Sequence, residues 1–319
     1  MDKIQLISGR SHPELAQSIA KILKIGLTSV EIKDFADGEI YFRIGKKVRN
    51  DDVFFIQSVS PPVNDHLMEL LIGVDALKRA SAGRINLVCP FLAYTRQDRK
   101  AVSREPITAK LVADLITKAG ADRLVTVDLH ADQIQGFYDI PVDHLVGYPL
   151  FARYLLENKI DKMVIISPDV GGLRRGRGMA KLLNLPLAMI DKRRPVHNQA
   201  QVLNVIGDVE GKTAILIDDI IDTAGTVVEI ARALKEKGAR EVIICTTHGL
   251  LSGDACRRLR GSAASKILLL DTLPLAKEKK IDKIEIISLA PLLAEVIRRI
   301  HLGKSLGALF TWEKKEVVL

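Results

Sequence analysis

The chain has 319 residues, 47% of them hydrophobic, and a formal net charge of +8 at pH 7. At roughly 100 to 200 residues per domain, this length and apolar content predict two domains, each with its own core. No apolar run approaches the roughly 18 residues of a membrane span, and residues 1–5 lack the layout of a signal peptide. We therefore expect a cytoplasmic protein with no membrane partner.

The excess of basic residues limits the classes of ligand. A chain of this charge could attract nucleic acid or a multiply charged small anion. With 4% aromatic residues and no dense stripe of Lys and Arg, the sequence favours the small anion, so we expect no nucleic-acid partner. The three cysteines form no CxxC pair, and their odd number argues against a disulfide framework.

The first 90 residues alternate between strand and helix patterns. Asp37-Gly38, which precedes an alternating apolar run, predicts the tip of a hairpin. The other strands are joined through helices by short connectors, which is typical of a doubly wound parallel sheet. The predicted strands span 3–8, 40–44, 53–57 and 85–89, and the predicted helices begin at Ser11 and span 64–80.

A long loop over residues 91–106 interrupts this alternation before a helix predicted over 108–119. Loops of more than about 12 residues inside a compact domain are usually functional or disordered. Its Arg and Lys side chains could reach a triphosphate, because arginine suits bidentate phosphate contacts, while a solvated charged loop is the alternative. The next predicted strand, 124–128, leaves His130 at the carboxyl edge of the sheet, where a lone histidine is more often a surface residue than a ligand.

The alternation starts again after residue 145, which we predict as the boundary between domains over 1–145 and 146–319. The turn Pro168–Gly172 contains two glycines that let the backbone approach an anion closely. Further on, Asp191–Arg194 places three consecutive cations after a buried strand, which solubility alone explains poorly. The predicted strands here span 163–167 and 187–190, and the predicted helices span 148–158 and 173–183.

Residues 213–226 combine an apolar strand that ends at Ile217 with a loop and a helix that begins at Val227. In parallel α/β sheets, ligands sit at such carboxyl ends of strands. The Asp218-Asp219 pair can accept hydrogen bonds from sugar hydroxyls or hold magnesium through water, and it suits a polyol best. Small residues and hydroxyls at 222–226 precede the helix, so their N–H groups can bind a phosphate. The combination predicts a ribose 5-phosphate site, and a turn that only caps the helix is the alternative.

Residues 213–226 closely resemble the motif that binds phosphoribosyl diphosphate (PRPP) in type I phosphoribosyltransferases and PRPP synthetases. Together with four further motifs, they make the chain resemble the class I ribose-phosphate diphosphokinases, the PRPP synthetases, from about residue 4 to about residue 310. These motifs are Phe35–Glu39, Tyr94–Lys100, Asp128–Ala131 with Gln133–Phe137, and Ser167–Gly172.

The resemblance implies an α/β fold of two similar doubly wound parallel-sheet domains of the type I phosphoribosyltransferase kind. Residues 1–145 would bind ATP, and residues 146–319 would bind ribose 5-phosphate and PRPP. The C-terminal tail of the second domain could pack back on the first.

The implied reaction transfers the β,γ-diphosphoryl group of MgATP to the C1 hydroxyl of ribose 5-phosphate, which yields AMP and the PRPP used in nucleotide biosynthesis. The cofactor is Mg²⁺. The implied ATP contacts are Phe35, Asp37, Gly38 and Glu39, which reach the adenine from a neighbouring subunit, and Arg96, Gln97, Arg99 and Lys100.

The resemblance also implies roles for residues near the predicted strand ends of both domains. His130 and Asp169 would support the metal, which replaces the surface interpretation of His130, and Lys192 and Arg194 would be catalytic. The ribose 5-phosphate contacts would be Arg194, Asp218, Asp219, Asp222, Thr223, Ala224, Gly225 and Thr226.

The resemblance also implies assembly and regulation. The family forms dimers arranged as hexamers, with phosphate as activator and ADP as inhibitor, so we expect a homo-oligomeric, allosteric enzyme. Many members have a serine where Lys47 stands and another where Gly307 stands, so this chain departs from the family near the effector site. The candidate effector residues are Arg49, Ser81, Arg104 and Ser305.

Three other functions explain these residues less completely. A phosphoribosyltransferase that consumes PRPP would share residues 213–226 but would not need the loop at 96–98 or the cations at 191–194. A non-catalytic regulatory subunit associated with PRPP synthetase would not need every motif residue, and all are retained here. Nucleic-acid binding would rest on net charge alone.

Overall fold

The computed structural model describes residues 3–193 and 202–309, which form an α/β fold. The chain divides into two compact units, each built around a mainly parallel sheet, and this confirms the predicted fold class. Arg194 and the C-terminal tail after Leu309 lie outside the described residues. Of the described residues, unit 1 contains 3–145, 272–274 and 288–307, and unit 2 contains 146–193, 202–271, 275–287 and 308–309.

Unit 1 begins with a strand and a helix and then forms a hairpin before the parallel series continues. Its elements are β1 (Ile4–Ser8), α1 (Pro13–Leu23), β2 (Val30–Asp34), β3 (Ile40–Ile44), β4 (Asp52–Ile56), α2 (Val63–Arg79), β5 (Arg84–Val88), α3 (Thr108–Ala119), β6 (Arg123–Val127) and β7 (Val142–Leu145). The strands β1, β4, β5, β6 and β7 pair in that order, all parallel, while β2 and β3 form a separate antiparallel pair. Every residue of β4 is buried, as expected of a parallel strand covered on both faces.

Aromatic packing holds the β2–β3 hairpin on unit 1. The ring of Phe42 in β3 meets the ring of Phe55 in β4 edge-on, with 5.8 Å between centroids. Helix α2 passes close by at Gly73, where an added Cβ would lie 2.6 Å from the Phe55 ring. The absence of a side chain at Gly73 therefore lets helix, hairpin and sheet meet.

Unit 2 repeats the alternation of strands and helices. Its elements are α4 (Tyr148–Glu157), β8 (Met163–Ser167), α5 (Leu173–Leu183), β9 (Leu187–Arg193), β10 (Val202–Ile206), β11 (Thr213–Ile221), α6 (Gly225–Glu236), β12 (Glu241–Gly249), α7 (Ala255–Arg260), β13 (Lys266–Leu270) and β14 (Ile284–Ile287). The next helix, α8 (Ala290–His301), belongs to unit 1. Within the described ranges, no helix has the length and apolar character needed to cross a membrane.

The strand order of unit 2 reverses between two neighbouring strands. The order is β10-β9-β8-β11-β12-β13-β14, and the β9–β10 pair is antiparallel. From β8 the chain moves to β9 on one side and then returns to the other side of β8 as β11. In open α/β sheets, ligands bind in the crevice at such a reversal.

The observed elements match most predicted ones within a few residues, but several bounds differ. Strand β11 continues through Ile221 instead of ending at Ile217, and β9 reaches Arg193 instead of Ile190. Strand β11 pairs with β12 as far as Ile221 and Gly249, and this pairing outweighs the low strand propensity of aspartate. The short elements β7, β10 and α7 were not predicted.

A buried charge cluster ties α8 to the sheet of unit 1. The Asp52 carboxylate is fully buried and accepts bonds from Arg84 Nε at 2.9 Å, Arg84 Nη2 at 2.6 Å and Asn86 Nδ2 at 2.8 Å. From α8, His301 Nδ1 lies 2.9 Å from Asp52 Oδ2, and the Ile300 carbonyl accepts a bond from Arg84. Burial opposes ionisation of Asp52, but the bonds from Arg84, His301 and Asn86 outweigh it and hold the pKa of this carboxyl below its ordinary value.

Candidate functional site

The carboxyl ends of β8 and β11 lie side by side at the reversal of strand order in unit 2. The two strands pair in parallel up to Ile166 and Leu216. The turn after β8 carries Asp169, and the loop after β11 carries residues 222–226. The structure therefore brings these two predicted segments to the same edge of one sheet.

Asp218 and Asp219 lie within strand β11, which corrects the prediction that they belong to a loop. Ala214 and Leu216, earlier in β11, share a core with helix α6. Arg175 Nη1 of α5 lies 3.6 Å from Asp219 Oδ1, and the two side chains are only 13% and 10% exposed.

The carboxyl of Asp218 has an unusual electrostatic environment. The N–H of Asp219 donates to its Oδ1 at 2.9 Å. Burial and then repulsion from Asp219 raise the pKa of Asp218 to about 8, although Arg175 acts in the opposite direction. Only the ionised form of a carboxyl is a pure hydrogen-bond acceptor, so the hydrogen-bonding capacity of the Asp218 side chain depends on its protonation state.

The loop between β11 and α6 has a backbone shaped for an anion. Ala224 adopts a left-handed conformation with φ of 64°, and α6 begins at the next residue, Gly225. The first N–H groups of a helix have no acceptor within the helix and lie at the positive end of its dipole. Thr223 and Thr226 are exposed beside them, so hydroxyls and N–H groups can converge on a phosphate.

Bonds from neighbouring segments hold this loop from behind. The Asp222 carbonyl accepts the N–H of Ser252 at 2.9 Å. The Thr223 carbonyl accepts a bond from Arg258 Nη1 of α7 at 3.1 Å. These two bonds tie the backbone of residues 222 and 223 to the segment that leads into α7 and to α7 itself.

The turn after β8 is also held by its own side chains. Asp169 Oδ1 accepts the N–H of Gly172 at 2.9 Å, and Ser167 Oγ donates to the Asp169 carbonyl at 2.8 Å. A Cβ on Gly172 would lie 3.1 Å from Pro168 Cδ, which makes glycine the residue that fits best. The result is an exposed carboxylate in a fixed orientation at the start of α5.

In unit 1, Phe35, Asp37, Gly38 and Glu39 form the turn between β2 and β3. The Phe35 N–H donates to the Glu39 carbonyl at 2.8 Å, and Asp37 Oδ1 accepts the Glu39 N–H at 3.1 Å. Gly38 has φ of 93°, which favours glycine. The Phe35 ring is half exposed on this ordered turn, so it is available to stack on a base.

The long loop over 91–106 is irregular throughout, and Arg96, Gln97, Arg99 and Lys100 are exposed on it. Its start is anchored, because the Gln97 carbonyl accepts the N–H of Ala109 at 3.2 Å. A further bond of 3.1 Å from Gln133 Nε2 to Asp98 Oδ2 joins this loop to the segment that follows β6. The two motifs after β5 and β6 are therefore in contact.

The segment after β6 presents His130 to the surface. Asp128 is buried with φ of 40°, and His130 is exposed two residues later. The N–H of Leu129 donates to His144 Nε2 of β7 at 2.8 Å. Strand β7, which was not predicted, therefore positions this motif.

The two predicted catalytic residues are placed only in part. Lys192 belongs to β9, where it pairs with Leu203 of β10, and Arg194 lies outside the described residues. Within the described part of the chain, no group of three or more His, Cys, Asp or Glu side chains could hold a metal by itself. The roles of Lys192, Arg194, His130 and Asp169 stay predictions.

Two of the four candidate effector residues are neighbours at the surface. Arg49 forms a β-bridge with Ala82, the residue after Ser81, and the Asn50 N–H donates to the Ser81 carbonyl at 3.0 Å. Both Arg49 and Ser81 are exposed. The other two candidates, Arg104 and Ser305, are exposed in the 91–106 loop and after α8.

Sequence reasoning missed three residues that shape these sites. They are Arg175, which meets Asp219; Arg258, which donates to the Thr223 carbonyl in the loop before α6; and His144, which accepts the N–H of Leu129 next to His130. Arg175 stands between other arginines of α5, and Arg258 stands in the basic run of α7, so neither has a local signal that separates it from a solvated cation.

Two family models match most of this chain. Residues 4–120 match the family model described as the N-terminal domain of ribose phosphate pyrophosphokinase, and residues 167–311 match the phosphoribosyl synthetase-associated domain. The chain is 56% identical to a ribose-phosphate pyrophosphokinase of Caldanaerobacter subterraneus subsp. tengcongensis over 97% of this chain and 98% of that protein. It is 53% identical to the protein of the same name from Bacillus caldolyticus, over 97% and 98% of the two chains.

A solved structure extends the similarity to the fold. The crystal structure of phosphoribosylpyrophosphate synthetase from Mycobacterium smegmatis superposes with a TM-score of 0.90 at 47% identity, over 95% of this chain and 100% of that chain.

Proposed function

Because this chain belongs to the ribose-phosphate pyrophosphokinase family, we propose that it transfers the β,γ-diphosphoryl group of MgATP to the C1 hydroxyl of ribose 5-phosphate. The products are PRPP and AMP, and PRPP feeds nucleotide biosynthesis. The observation that carries this proposal is the pairing, at one sheet edge, of an acidic side chain on β11 with the anion-binding start of α6. A ligand with both vicinal hydroxyls and a phosphate fits that pairing.

The reaction requires positioning more than covalent chemistry. The C1 hydroxyl oxygen bonds to the β-phosphorus, the bond from that phosphorus to the oxygen bridging the α- and β-phosphates breaks, and AMP leaves as the hydroxyl loses its proton. Asp218 and residues 222–226 would orient the pentose for this in-line attack. Lys192 and Arg194 would stabilise the negative charge that spreads over the transferring group.

Magnesium fits the residues proposed to support it. The exposed, oriented carboxylate of Asp169 is a hard oxygen donor, and the imidazole of His130 is a second candidate. Mg²⁺ usually keeps several waters and binds through one or two carboxylates plus substrate phosphates, so a cage of protein ligands is not required. When bound, it would neutralise phosphate charge during the transfer.

The test is an assay of AMP and PRPP with MgATP, with and without ribose 5-phosphate. We expect AMP release only when ribose 5-phosphate is present. We expect none with unphosphorylated ribose, because it lacks the phosphate that would bind at the start of α6. Consumption of PRPP with a nucleobase but no AMP release would identify a phosphoribosyltransferase. Binding without turnover would identify a regulatory subunit.

The remaining proposals concern the setting of the enzyme. We propose a cytoplasmic homo-oligomer of dimers arranged as a hexamer, with Phe35, Asp37 and Glu39 reaching the ATP of a neighbouring subunit. We also propose phosphate activation and ADP inhibition through Arg49, Ser81, Arg104 and Ser305. Sedimentation analysis and titration of each effector test these proposals separately.

The affinity for ribose 5-phosphate should rise with pH between about 7 and 8. The raised pKa of Asp218, about 8, means that the free enzyme holds a proton there below that pH. A ligand that needs the ionised carboxylate must displace this proton, so Kd falls by up to about tenfold per pH unit below the pKa. Isothermal titration calorimetry over this range measures Kd, and buffers of different ionisation enthalpy measure the released proton.

Asp218→Asn is the control for this pH dependence. The amide is of similar size but cannot ionise, so its affinity should be lower and independent of pH over the same range. An equal slope of Kd with pH in the two proteins would show that another group titrates.

A further inference from the structure

The two members of the Asp218-Asp219 pair have different surroundings. Asp218 Oδ1 accepts the N–H of Asp219, the next residue of β11. The Asp219 side chain lies beside Arg175 of α5.

The contact between Arg175 and Asp219 is a largely buried ion pair. Its closest approach is 3.6 Å, and the side chains are 13% and 10% exposed. Two adjacent carboxylates with little access to water repel each other strongly, and a nearby cation offsets that repulsion. Arg175 is in position to do this, since it is the third residue of the helix that follows the Asp169 turn.

Asp219 is linked to Asp218 through the backbone as well as through charge. The N–H of Asp219 donates to Asp218 Oδ1 at 2.9 Å, which sets the plane of the Asp218 carboxylate. The Asp219 side chain also acts on the Asp218 carboxyl directly, since repulsion from Asp219 helps to raise the pKa of Asp218. By holding the Asp219 carboxylate, Arg175 therefore also constrains Asp218.

We propose that Arg175 is a positioning residue for the pentose: through Asp219 it fixes the orientation of the Asp218 carboxylate that receives the sugar hydroxyls. The proposal rests on the proposed function. It adds a residue of α5 to the site and gives the two acids different roles. Asp218 contacts the pentose, and Asp219 acts as the link to Arg175.

The test compares Arg175→Met with Arg177→Met, the same substitution at an exposed position of the same helix. We expect Arg175→Met to raise KM for ribose 5-phosphate by about tenfold or more, with KM for ATP unchanged, and Arg177→Met to leave both unchanged. Arg175→Lys, which keeps the charge, should recover part of the loss. Equal KM values for ribose 5-phosphate in wild type and Arg175→Met would overturn the proposal.

A double-mutant cycle separates positioning from a general structural role. Once Asp219→Asn has removed the link, Arg175→Met should have little further effect on KM for ribose 5-phosphate, whereas additive effects would overturn the proposal. If Arg175→Met alone does not fold, the Arg175→Met/Asp219→Asn double variant, which removes both charges of the Arg175–Asp219 ion pair together, takes its place. Its KM for ribose 5-phosphate should then equal that of Asp219→Asn.

Direct binding of ribose 5-phosphate, measured by calorimetry without ATP, distinguishes this proposal from the proposed function. Wild-type binding that weakens in Arg175→Met without any AMP release would support the positioning role and refute the diphosphokinase activity. An active wild type with unchanged binding in Arg175→Met would refute the positioning role alone.

Discussion

Replacing Lys192 with alanine should lower kcat by roughly 10²-fold or more, the scale of losing a preorganised contact to the transition state. The basis is the family resemblance, which assigns this lysine to charge stabilisation on the transferring diphosphoryl group. Its backbone lies in strand β9, paired with β10, so it has a defined position next to the reversal of strand order. Steady-state AMP release at saturating substrates measures the effect.

Lys181→Ala is the matched control for Lys192→Ala. Lys181 is an exposed lysine in the last turn of α5, and its removal deletes the same charge from unit 2. We expect its kcat to equal that of wild type. Near-normal turnover in Lys192→Ala would refute the catalytic assignment, and equal losses in both variants would point to net charge instead.

Arg84→Met should lower the free energy of unfolding by about 3–5 kcal/mol, because it leaves the buried carboxylate of Asp52 without its main partner. It also removes a donor to the Ile300 carbonyl, so the attachment of α8 is weakened. Urea denaturation monitored by circular dichroism measures the loss.

Arg79→Met is the control for this second prediction. Arg79 pairs with Asp75 at the surface, with 78% and 48% of the side chains exposed, and such a pair contributes about 1 kcal/mol or less. A loss of this small size in Arg84→Met would mean that water reaches Asp52.

The Asp52–Arg84 cluster also makes the free energy of unfolding depend on pH. The pKa of Asp52 is held below its ordinary value in the folded protein. Its contribution to stability is therefore complete above the unfolded pKa, about 4, and is lost as the pH falls through the folded value. The stability difference between wild type and Arg84→Met should accordingly shrink below about pH 4.

Elements with a strong local pattern were predictable from sequence. Strand β8 and helix α5 have the predicted bounds, 163–167 and 173–183. A short continuous apolar run predicts a strand that is buried on both faces, as β8 is, and apolar residues at helical spacing predict a helix that buries one face, as α5 does. The tip at Asp37-Gly38 was predictable for a related reason, since Gly38 takes a left-handed φ that a side chain disfavours.

The bounds of β11 were not predictable in this way. Its last residues include Asp218 and Asp219, which have low strand propensity, and only the presence of an equally long β12 beside them extends the strand to Ile221. Strand β7 was missed because four residues leave too little pattern to detect.

For this protein, the sequence by itself determined the α/β class, the kinds of chemical group in the candidate sites and their family resemblance, since these depend on residue type and local spacing. The tertiary structure alone decided that the strand order reverses between β8 and β11, that Asp218 and Asp219 lie within β11, and that Arg175 meets Asp219. The physical reason is that these features arise from pairing and packing between residues far apart in the chain. A local sequence pattern carries no information on the energies of such contacts.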